Sequence, residues 1–457
     1  MRDGFQLVGR IPYPMTEPRH LVIASEVATL DFLRINNIPV PEVYGYSTIS
    51  QNLAGTEYIF MELVRGVNLG DIWVDLSKKA RKTVVTKLVQ LESQLFTLQF
   101  PGNGSLYYAK DLDADVQRMN IPVADNASLE GFCVGPDTRL HLWYGKRLSL
   151  QVGRGPYADS TAVLAAGAEK EIAYLMKFGK PIHPLQLLNL HKYLQIVPRL
   201  TPGGNGDLAR PTLRHPDLNP NNVFVSDSLD VTWLIDWQHC TILPLFLQCG
   251  IPNSLQNYGD SVSESLVPPE LPPNISELSE REQYEQVELL RRRQLHYFYA
   301  AGTEEYNPLH YQALSDDFSV IRRKIFDHAS SPWEGNSVSL KADLVQLVKQ
   351  WDSFTASNSS TNDEIRQPCP ISFSEEEMAE CLRLKTAQIE ADEQLKAARD
   401  AIGVGSEGWV PLKQYDEIKE QNRILKKNAF AAAESEEERI MMDENWVFND
   451  FDEDDYL

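Results

Sequence analysis

The amino-acid sequence predicts a mixed α/β fold in two lobes, of which the second is mostly helical. The first observation is the order of the early segments, in which the two-residue hydrophobic repeat of strands alternates with the longer repeat of helices. The second is the extended run of helical spacing that comes after these segments. The third is the composition, because 457 residues with 42% hydrophobic and 24% charged content are typical of a globular chain with room for two or three domains or lobes.

The first lobe is predicted over residues 1–64, where four segments with strand or helix spacing follow one another. Their order is strand, helix, strand, strand, in the stretches FQLVGRI, HLVIASEVATLDFLRIN, VPEVYGYS and EYIFMELV. The next stretch, GDIWVDLSKKARKTVVTKLVQLESQLFTLQF, has helical spacing. We therefore place the beginning of the second lobe at residue 65.

The second lobe is predicted over residues 65–330 and contains an inserted segment at about 130–210. Within that segment RLHLWYG and RLSLQVG alternate like strands, and a helix is expected from about Ala162 to Phe178. Two short strands, VFVS and VTWLID, belong to a loop stretch at 213–238. A long charged helix is expected from about Leu278 to Ala301.

A helical extension is predicted over residues 331–433, with helices from about Ser374 to Ala401 and from about Leu412 to Ala433. Residues 434–457 contain eleven Asp and Glu residues and one basic residue, Arg439. A charge run of this kind is usually a solvated segment, so the chain is expected to end in an acidic tail.

The charge of the chain limits the partners that it is expected to bind. The formal net charge is −22, which opposes the phosphate backbone of nucleic acids and the surface of anionic membranes. The sequence has no run of about 18 apolar residues, the length that a membrane span requires. We therefore expect neither nucleic-acid binding nor a membrane span, whereas protein partners stay possible. The first residues, MRDGFQLVGRIPYP, have the pattern of neither a secretory signal nor a transit peptide.

The stretch LRHPDLNPNNVFV and the later stretch WLIDWQ carry the residues that chemistry would use. Asp217 lies five residues before Asn222, and Asp236 ends a predicted strand. In kinase-type phosphoryl transfer one carboxylate accepts the proton of the attacking hydroxyl, while an amide oxygen and a second carboxylate hold Mg²⁺ against the nucleotide phosphates. Asn-Pro-Asn-Asn is also ordinary turn chemistry, and an Asp at the end of a strand often caps the next element. His215 is expected to brace the loop through hydrogen bonds.

Upstream residues occur in the order that a two-lobed protein-kinase-like fold requires. Such a fold has a cation on its third strand, paired with a Glu of the next helix, to hold the nucleotide phosphates. Arg10 and Glu26 occupy these places, and the backbone of Glu62, Leu63 and Val64 comes after a buried strand, where a hinge would bind adenine. Each residue has a plain alternative, since Arg10 suits an exposed strand position and Glu26 suits the first turn of a helix. Their common order favours the kinase-like interpretation.

The sequence resembles a known family at this point: the fungal aminoglycoside-phosphotransferase-like proteins, and within them the group of altered inheritance of mitochondria protein 9. The resemblance rests on many stretches in one order, among them RIPYP, ASEVATLDFLR, EYIFMELVRGVNLGDIW, VGPDTRLHLWYGKR, RHPDLNPNNVFV, LIDWQ and PLFLQCGIP, and it covers roughly residues 4–330. The resemblance implies Asp217 as catalytic base, Asn222 and Asp236 as Mg²⁺ ligands, and ATP as the nucleotide. It also implies a mitochondrial location.

Two features of the resemblance qualify its implications for activity. Residue 1 falls near the third strand of the family's first lobe, so the N-terminal lobe is expected to be incomplete and to lack the glycine-rich phosphate loop. The phosphate-holding cation is Arg10, where protein kinases use Lys. Two hypotheses result: an ATP- and Mg²⁺-dependent phosphotransferase acting on a small-molecule hydroxyl, or a pseudokinase or scaffold in mitochondrial maintenance without turnover. The acceptor is not specified, although Trp143, Tyr144 and Arg154 of the inserted segment line either a substrate pocket or the core.

Overall fold

The computed structural model divides the chain into two compact units, Met1–Ser372 and Phe373–Leu457. The residues that the structure describes are 4–13, 16–122, 131–179, 184–203, 206–333, 335–358, 368–404, 410 and 412–433, with 435, 439, 443, 446 and 448. The first unit continues beyond residue 330, where the sequence predicts the beginning of the helical extension. The mixed α/β class predicted from the sequence is confirmed.

The strands of the first unit form small antiparallel sheets with the orders β1-β3-β2, β10-β9-β4, β5-β7-β6 and β11-β8. The described strands are β1 (Leu7–Arg10), β2 (Val43–Ser47), β3 (Tyr58–Glu62), β4 (Val67–Asn68), β5 (Ser105–Tyr108), β6 (Met119–Asn120), β7 (Phe132–Gly135), β8 (Pro211–Leu213), β9 (Val223–Val225), β10 (Val231–Leu234) and β11 (Ile242–Pro244). The first sheet uses the three strands that the sequence predicts in residues 1–64, and the second contains the two short strands predicted in 213–238.

Helices account for most of the rest of the described chain. They are α1 (Arg19–Ile35), α2 (Leu69–Ile72), α3 (Lys78–Leu95), α4 (Ser160–Phe178), α5 (Pro184–Leu200), α6 (Leu245–Gln248), α7 (Ser261–Glu264), α8 (Glu280–Tyr306), α9 (Pro308–Leu314), α10 (Ser319–Ser330), α11 (Val338–Lys349), α12 (Trp351–Asn358), α13 (Glu375–Ile402) and α14 (Tyr415–Ala432). None of the described helices is long and apolar enough to cross a membrane.

Helix α1 joins the N-terminal sheet to the main core of the first unit. Its Ile23 and Val27 pack against Ile59 and Met61 of β3. Apolar residues on another face of the helix, including Leu33, belong to the large cluster that also holds the residues of β9. Because the helix is apolar on more than one face, it is buried between layers and fixes the position of the acidic residue Glu26 inside the protein.

In the inserted segment, the two predicted strands are wrong. The stretches RLHLWYG and RLSLQVG form 3-10 turns at Leu140–Leu142 and Gly145–Ser149 instead of strands. The guanidinium of Arg154 donates to the carbonyl oxygens of Leu142, Arg147 and Leu150, at 3.1, 2.6 and 3.1 Å. Because the arginine satisfies these carbonyl groups, they need no hydrogen bonds from a neighbouring strand, and the segment does not have to join a sheet. The predicted helix is confirmed as α4, whereas the sequence pattern did not reveal α5.

The second unit contains the two long helices that the sequence predicts after residue 373. Helix α13 begins with a capping box, in which Ser374 and Glu377 exchange hydrogen bonds. Of the predicted acidic tail, five residues are described. The indole of Trp446 donates to Asn422 of α14 at 2.8 Å, and Asn422 donates to the carbonyl oxygen of Phe448 at 2.6 Å. These two tail residues therefore lie against α14, and the tail residues other than these five lie outside the described part of the chain.

Candidate active site

The catalytic-loop candidate connects β8 to β9, and its asparagines shape it. Asn219 lies at the beginning of a 3-10 turn, Pro220–Asn222, and its side-chain oxygen accepts from the backbone N–H of Asn221 at 2.8 Å. A proline suits the first position of such a turn because its missing N–H would have no partner there. Asn68 donates to the carbonyl oxygen of Asn221 at 2.8 Å and attaches the loop to the residue that precedes α2. The turn that the sequence predicts at Asn-Pro-Asn-Asn is therefore present, and it fixes the loop that carries Asp217.

Asp217 is exposed at the surface of this loop and is held there by two amides. The side chain of Asn219 donates to Asp217 Oδ2 at 2.6 Å. The side chain of Asn222, which is buried, donates to the backbone carbonyl oxygen of Asp217 at 2.9 Å. The carboxylate is therefore oriented and yet accessible to a substrate, as a general base must be. Since Nδ2 of Asn222 is used in this contact, its amide oxygen is the atom left for a metal ion.

His215 braces the loop, as the sequence predicts. The backbone N–H of Asp217 donates to His215 Nδ1 at 3.1 Å, so the ring proton resides on Nε2, which lies 2.9 Å from the carbonyl oxygen of Ile235. Burial lowers the pKa of His215, which favours the neutral ring that this pair of contacts requires. The ring also packs edge-on against the buried Trp237, with ring centroids 4.5 Å apart. His215 therefore positions the loop and does not face a substrate.

Asp236 follows β10 and lies beside Asn222 because the two strands are paired. The backbone N–H of Ile235 donates to the carbonyl oxygen of Asn222 at 3.0 Å, one step beyond the pair Leu234 and Val223. Asp236 has a φ of +64°, a left-handed conformation that Asp tolerates better than most residues other than glycine. The turn directs the chain away from the strand immediately after the carboxylate. The two predicted metal ligands are thereby brought to the same edge of one small sheet.

Arg10 connects the first lobe to this edge. Its guanidinium contacts Glu26 at 2.8 Å, Asp236 at 2.7 Å and the side-chain oxygen of Gln238 at 2.6 Å. Burial lowers the pKa of Arg10, but the carboxylates of Glu26 and Asp236 outweigh burial and raise it. The predicted cation, its glutamate partner and one predicted metal ligand therefore form a single network. Gln238 was not predicted as a site residue, because nothing in its sequence context distinguishes it from a surface amide.

Glu26 is the buried member of this network. Its side chain is 2% exposed, and its Oε2 atom has no hydrogen-bond partner within the described residues. Burial raises the pKa of Glu26, Arg10 offsets part of this effect and the charge of Asp236 adds to it, so that the pKa is about 7. The carboxyl group is thus poised between its neutral and charged forms near neutral pH.

We expect Glu26 to make the protein less stable as the pH rises. The folded-state pKa of about 7 lies above the ordinary value of 4.5, so the folded chain binds more protons than the unfolded chain between these two values. The free energy of unfolding therefore decreases as the pH rises through this window, by on the order of 2 kcal/mol from this group. Glu26→Gln should remove that contribution, and urea titrations of both proteins at pH 5, 6 and 7 measure it. Parallel pH profiles for the two proteins would contradict the assignment.

The predicted hinge is only partly available for a nucleotide. The backbone N–H of Glu62 already donates to the carbonyl oxygen of Glu42 at 2.8 Å, because Glu62 is the last residue of β3. Leu63 and Val64 lie beyond the end of the strand and take no part in its pairing. The backbone groups of Leu63 and Val64 are thus the hinge groups best placed to meet an adenine.

A cavity of about 590 Å³ lies beside the catalytic loop, on the side of the inserted segment. Its lining residues come from four parts of the first unit, and they are Arg139, Leu140, His141, Tyr144, Arg214, Pro216, His239, Thr241, Leu243, Gln248 and Pro332. Of the three residues considered for a substrate pocket, only Tyr144 lines it. The indole of Trp143 donates to the carbonyl oxygen of Asp137 at 2.8 Å, and the guanidinium of Arg154 lies 4.1 Å from its ring centroid, so both have structural roles.

The donor set fits a magnesium ion that is shared with a nucleotide. Asn222 and Asp236 offer hard amide and carboxylate oxygens, which Mg²⁺ prefers, and Mg²⁺ commonly takes only one or two protein ligands beside phosphates and water. The described residues contain no group of three or more His, Cys, Asp and Glu side chains that would hold a metal by themselves. A metal ion at this edge would therefore depend on phosphate oxygens for the rest of its coordination.

These features are typical of the kinase-like class of phosphotransferase proteins. The family model described as "Phosphotransferase enzyme family" matches residues 6–246, which include β1, the catalytic loop and Asp236. The match covers more than half of the chain, so the protein belongs to this family. This family agrees with the phosphotransferase class that the sequence predicts.

Relatives across the fungi are similar over almost the whole chain. A subtelomeric hrmA-associated cluster protein of Aspergillus fumigatus is 29% identical over 98% of this chain and 93% of its own length. Altered inheritance of mitochondria protein 9, mitochondrial, of Clavispora lusitaniae is 25% identical over 92% of this chain and 72% of its own length. The solved ternary complex of streptomycin, ATP and APH(2″)-IIa is 13% identical, with a TM-score of 0.35, over 75% of this chain and 85% of that chain. The family that the sequence resembles is confirmed.

Proposed function

We propose that this protein transfers the γ-phosphoryl group of ATP, with Mg²⁺, to a hydroxyl group of a small molecule. The P–O bond to ADP breaks, a P–O bond to the acceptor oxygen forms, and the hydroxyl proton passes to the carboxylate of Asp217. The products are ADP and a phosphate ester. One observation carries the proposal: the exposed carboxylate of Asp217 is held by Asn219 at 2.6 Å, and Asn222, which donates to the backbone of Asp217 at 2.9 Å, directly precedes the strand paired with the one that leads to Asp236.

Each residue has one role in this proposal. Asp217 accepts the proton and orients the hydroxyl, and Asn219 holds Asp217 in place. Asn222 and Asp236 hold the Mg²⁺ ion, which neutralises negative charge on the phosphates. Arg10, held by Glu26, contacts the α- and β-phosphates, while the backbone of Leu63 and Val64, the free part of the hinge predicted at 62–64, meets the adenine.

A second function is favoured by one contact, the ion pair between Arg10 and Asp236. The guanidinium of Arg10 is paired with the carboxylate of Asp236, which a metal ion would need as a ligand. The side chain of Gln238 also accepts a hydrogen bond from this guanidinium, at 2.6 Å. A protein in which this ion pair persisted would keep the fold and bind no Mg²⁺-nucleotide. It would then act as a pseudokinase or scaffold through protein partners.

The relatives support a mitochondrial location. Altered inheritance of mitochondria protein 9 carries the word mitochondrial in its name in both Clavispora lusitaniae and Vanderwaltozyma polyspora. We propose that this chain acts in the same compartment.

Nucleotide binding decides between the two functions. A titration of the full chain with ATP, monitored by thermal shift and by calorimetry, is made with Mg²⁺ and with EDTA. Phosphoryl transfer predicts that Mg²⁺ strengthens ATP binding at least about tenfold, because Asn222 and Asp236 would hold the metal ion that neutralises the phosphate charge. Equal or absent ATP binding in the two conditions would refute the enzyme and support the scaffold.

A further inference from the structure

The cavity beside the catalytic loop lies where an acceptor would have to bind. Pro216, which lines it, directly precedes Asp217, and His239, which also lines it, lies three residues after Asp236. The opposite wall is formed by the 3-10 turn of Leu140 and by Arg139. A molecule in the cavity can thus present a hydroxyl group at the catalytic loop and another group at the inserted segment. The volume, about 590 Å³, suits a small metabolite.

The charged groups of the cavity wall are cationic on the side that a ligand meets. Arg139 is held from behind by Asp137, with contacts of 2.9 Å from Nε and 2.6 Å from Nη2 to the same carboxylate oxygen. The side chain of Asp137 is fully buried, whereas the side chain of Arg139 is 16% exposed, so Arg139 covers the carboxylate. Since Nε and Nη2 are used, the Nη1 edge of Arg139 is the part left for a ligand. Arg214 is likewise paired with a buried carboxylate, Glu92, at 2.7 Å, but its Nη1 and Nη2 atoms donate to the carbonyl oxygens of Gln248 and Gly250 and to Tyr299, so Arg139 is the arginine that has an edge left for a ligand.

Two histidines add neutral polar groups to the same wall. Nδ1 of His239 lies 2.6 Å from the carbonyl oxygen of Thr138 and donates to it, which leaves Nε2 as the acceptor nitrogen. Nε2 of His141 is buried and has no hydrogen-bond partner within the described residues. Buried polar atoms are nearly always paired in folded proteins, so His141 is a polar lining residue with hydrogen-bonding capacity left over. None of the lining residues is an Asp or a Glu.

We infer that the acceptor is a small hydroxylated molecule that carries an anionic group, a carboxylate or a phosphate, which pairs with Arg139. The inference rests on the proposed function and names its substrate class. The anionic group meets Nη1 of Arg139, and the apolar body lies against Leu140, Leu243 and Pro332. The hydroxyl group points to Asp217. A polycationic acceptor would place its ammonium groups against guanidinium groups without any lining carboxylate to pair with them.

A panel of probes of three charge types tests this inference. The carboxylate probes are glycerate and gluconate, the phosphate probes are glycerol 3-phosphate and glucose 6-phosphate, the neutral probes are glycerol and glucose, and the cationic probes are choline, glucosamine and kanamycin. Each is titrated into the full chain by calorimetry, with and without ATP and Mg²⁺, and ADP formation is measured in parallel. We expect one of the two anionic groups of probes to bind at least about tenfold more tightly than the neutral and cationic probes. Which group binds tightly shows whether the acceptor carries a carboxylate or a phosphate. Tighter binding of a cationic probe, or no preference for either anionic arm, would overturn the inference.

A matched pair of substitutions at Leu140 tests the position of the anionic group. Leu140 lines the cavity and is 41% exposed, so a polar side chain there does not disturb the core. Leu140→Glu places a negative charge beside Arg139 and should weaken binding of the preferred anionic probe about tenfold. Leu140→Gln has the same shape without the charge and should change it less than threefold. Equal effects of the two variants would overturn the placement.

The two proposals fail in different ways. In one case Mg²⁺ has no effect on ATP binding, while anionic probes still bind and their affinity falls in Leu140→Glu but not in Leu140→Gln. The proposed function then fails, and the assignment of the cavity as an anion-binding site stands. If ATP binds with Mg²⁺ and a cationic probe is phosphorylated, the substrate class fails and the phosphotransferase stands.

Discussion

Replacing Asp217 by Asn should abolish most turnover and leave ATP binding almost unchanged. Asn has nearly the same size and still accepts a hydrogen bond from Asn219, so the loop keeps its shape, but an amide does not accept a proton from the acceptor hydroxyl. General bases typically contribute about 10²–10⁴-fold to the rate, so kcat should fall by at least about 100-fold. Mg²⁺-dependent ATP affinity should stay within about threefold of the wild-type value. ADP formation in the presence of the best acceptor, together with ATP calorimetry, measures both quantities.

The matched control is Asp230→Asn, the same chemical change at the turn between β9 and β10. Asp230 pairs with Lys87 at 2.6 Å on the surface and is 62% exposed, so this variant should keep wild-type turnover. If Asp217→Asn turned over as fast as the Asp230→Asn control, Asp217 would have only a structural role in the loop.

The sequence predicts the site better than it predicts the inserted segment, and the reason lies in the range of the interactions. Asp217, Asn219 and Asn222 act on one another within five residues, so their spacing is visible in the sequence. Asp236 is linked to them through the pairing of two short strands with a tight turn, which hydrophobic alternation also reveals. Local chemistry of this kind needs no knowledge of the tertiary structure.

The inserted segment depends on partners that are far away in the sequence. Arg147, on one of the wrongly predicted strands, forms an ion pair of 2.6 Å with Glu171 of α4, and both side chains are buried. The alternation of Leu and polar residues in RLHLWYG resembles a strand, but the carbonyl groups of this stretch are satisfied by Arg154 and by turn contacts. No sequence pattern shows which arginine will satisfy which carbonyl group. The cavity that this segment lines was for the same reason not predictable in detail.

The contact between Arg10 and Asp236 was also hidden, because it joins residues that are 226 positions apart. The sequence predicts each residue separately, as phosphate cation and as metal ligand. Their direct contact at 2.7 Å shows that the cation and the ligand neutralise each other before a nucleotide binds. In the proposed function, ATP and Mg²⁺ would have to replace this ion pair, with Arg10 turning to phosphate and Asp236 to the metal ion.

Replacing Asp236 by Asn should therefore remove the effect of Mg²⁺ on ATP binding. Asn tolerates the left-handed backbone at this position, φ +64°, about as well as Asp does, whereas Ala would add strain. The neutral amide loses the ion pair with Arg10 and leaves Mg²⁺ with one amide oxygen in place of a carboxylate. We expect the Mg²⁺-dependent gain in ATP affinity, at least about tenfold in the wild type, to be lost, which corresponds to about 1.4 kcal/mol or more. Calorimetric ATP titrations with Mg²⁺ and with EDTA measure the gain directly.

The affinity for ATP in the presence of EDTA distinguishes metal binding by Asp236 from a structural role of this residue. In the variant Arg10 no longer pairs with a charged Asp236, so its guanidinium is freer to meet phosphate, and binding without metal should be unchanged or stronger. Asp227→Asn, at an exposed position of the turn after β9, is the matched control and should keep the full Mg²⁺ effect. A loss of ATP affinity in EDTA as large as the loss with Mg²⁺ would show that Asp236 maintains the fold of the site instead of binding the metal ion.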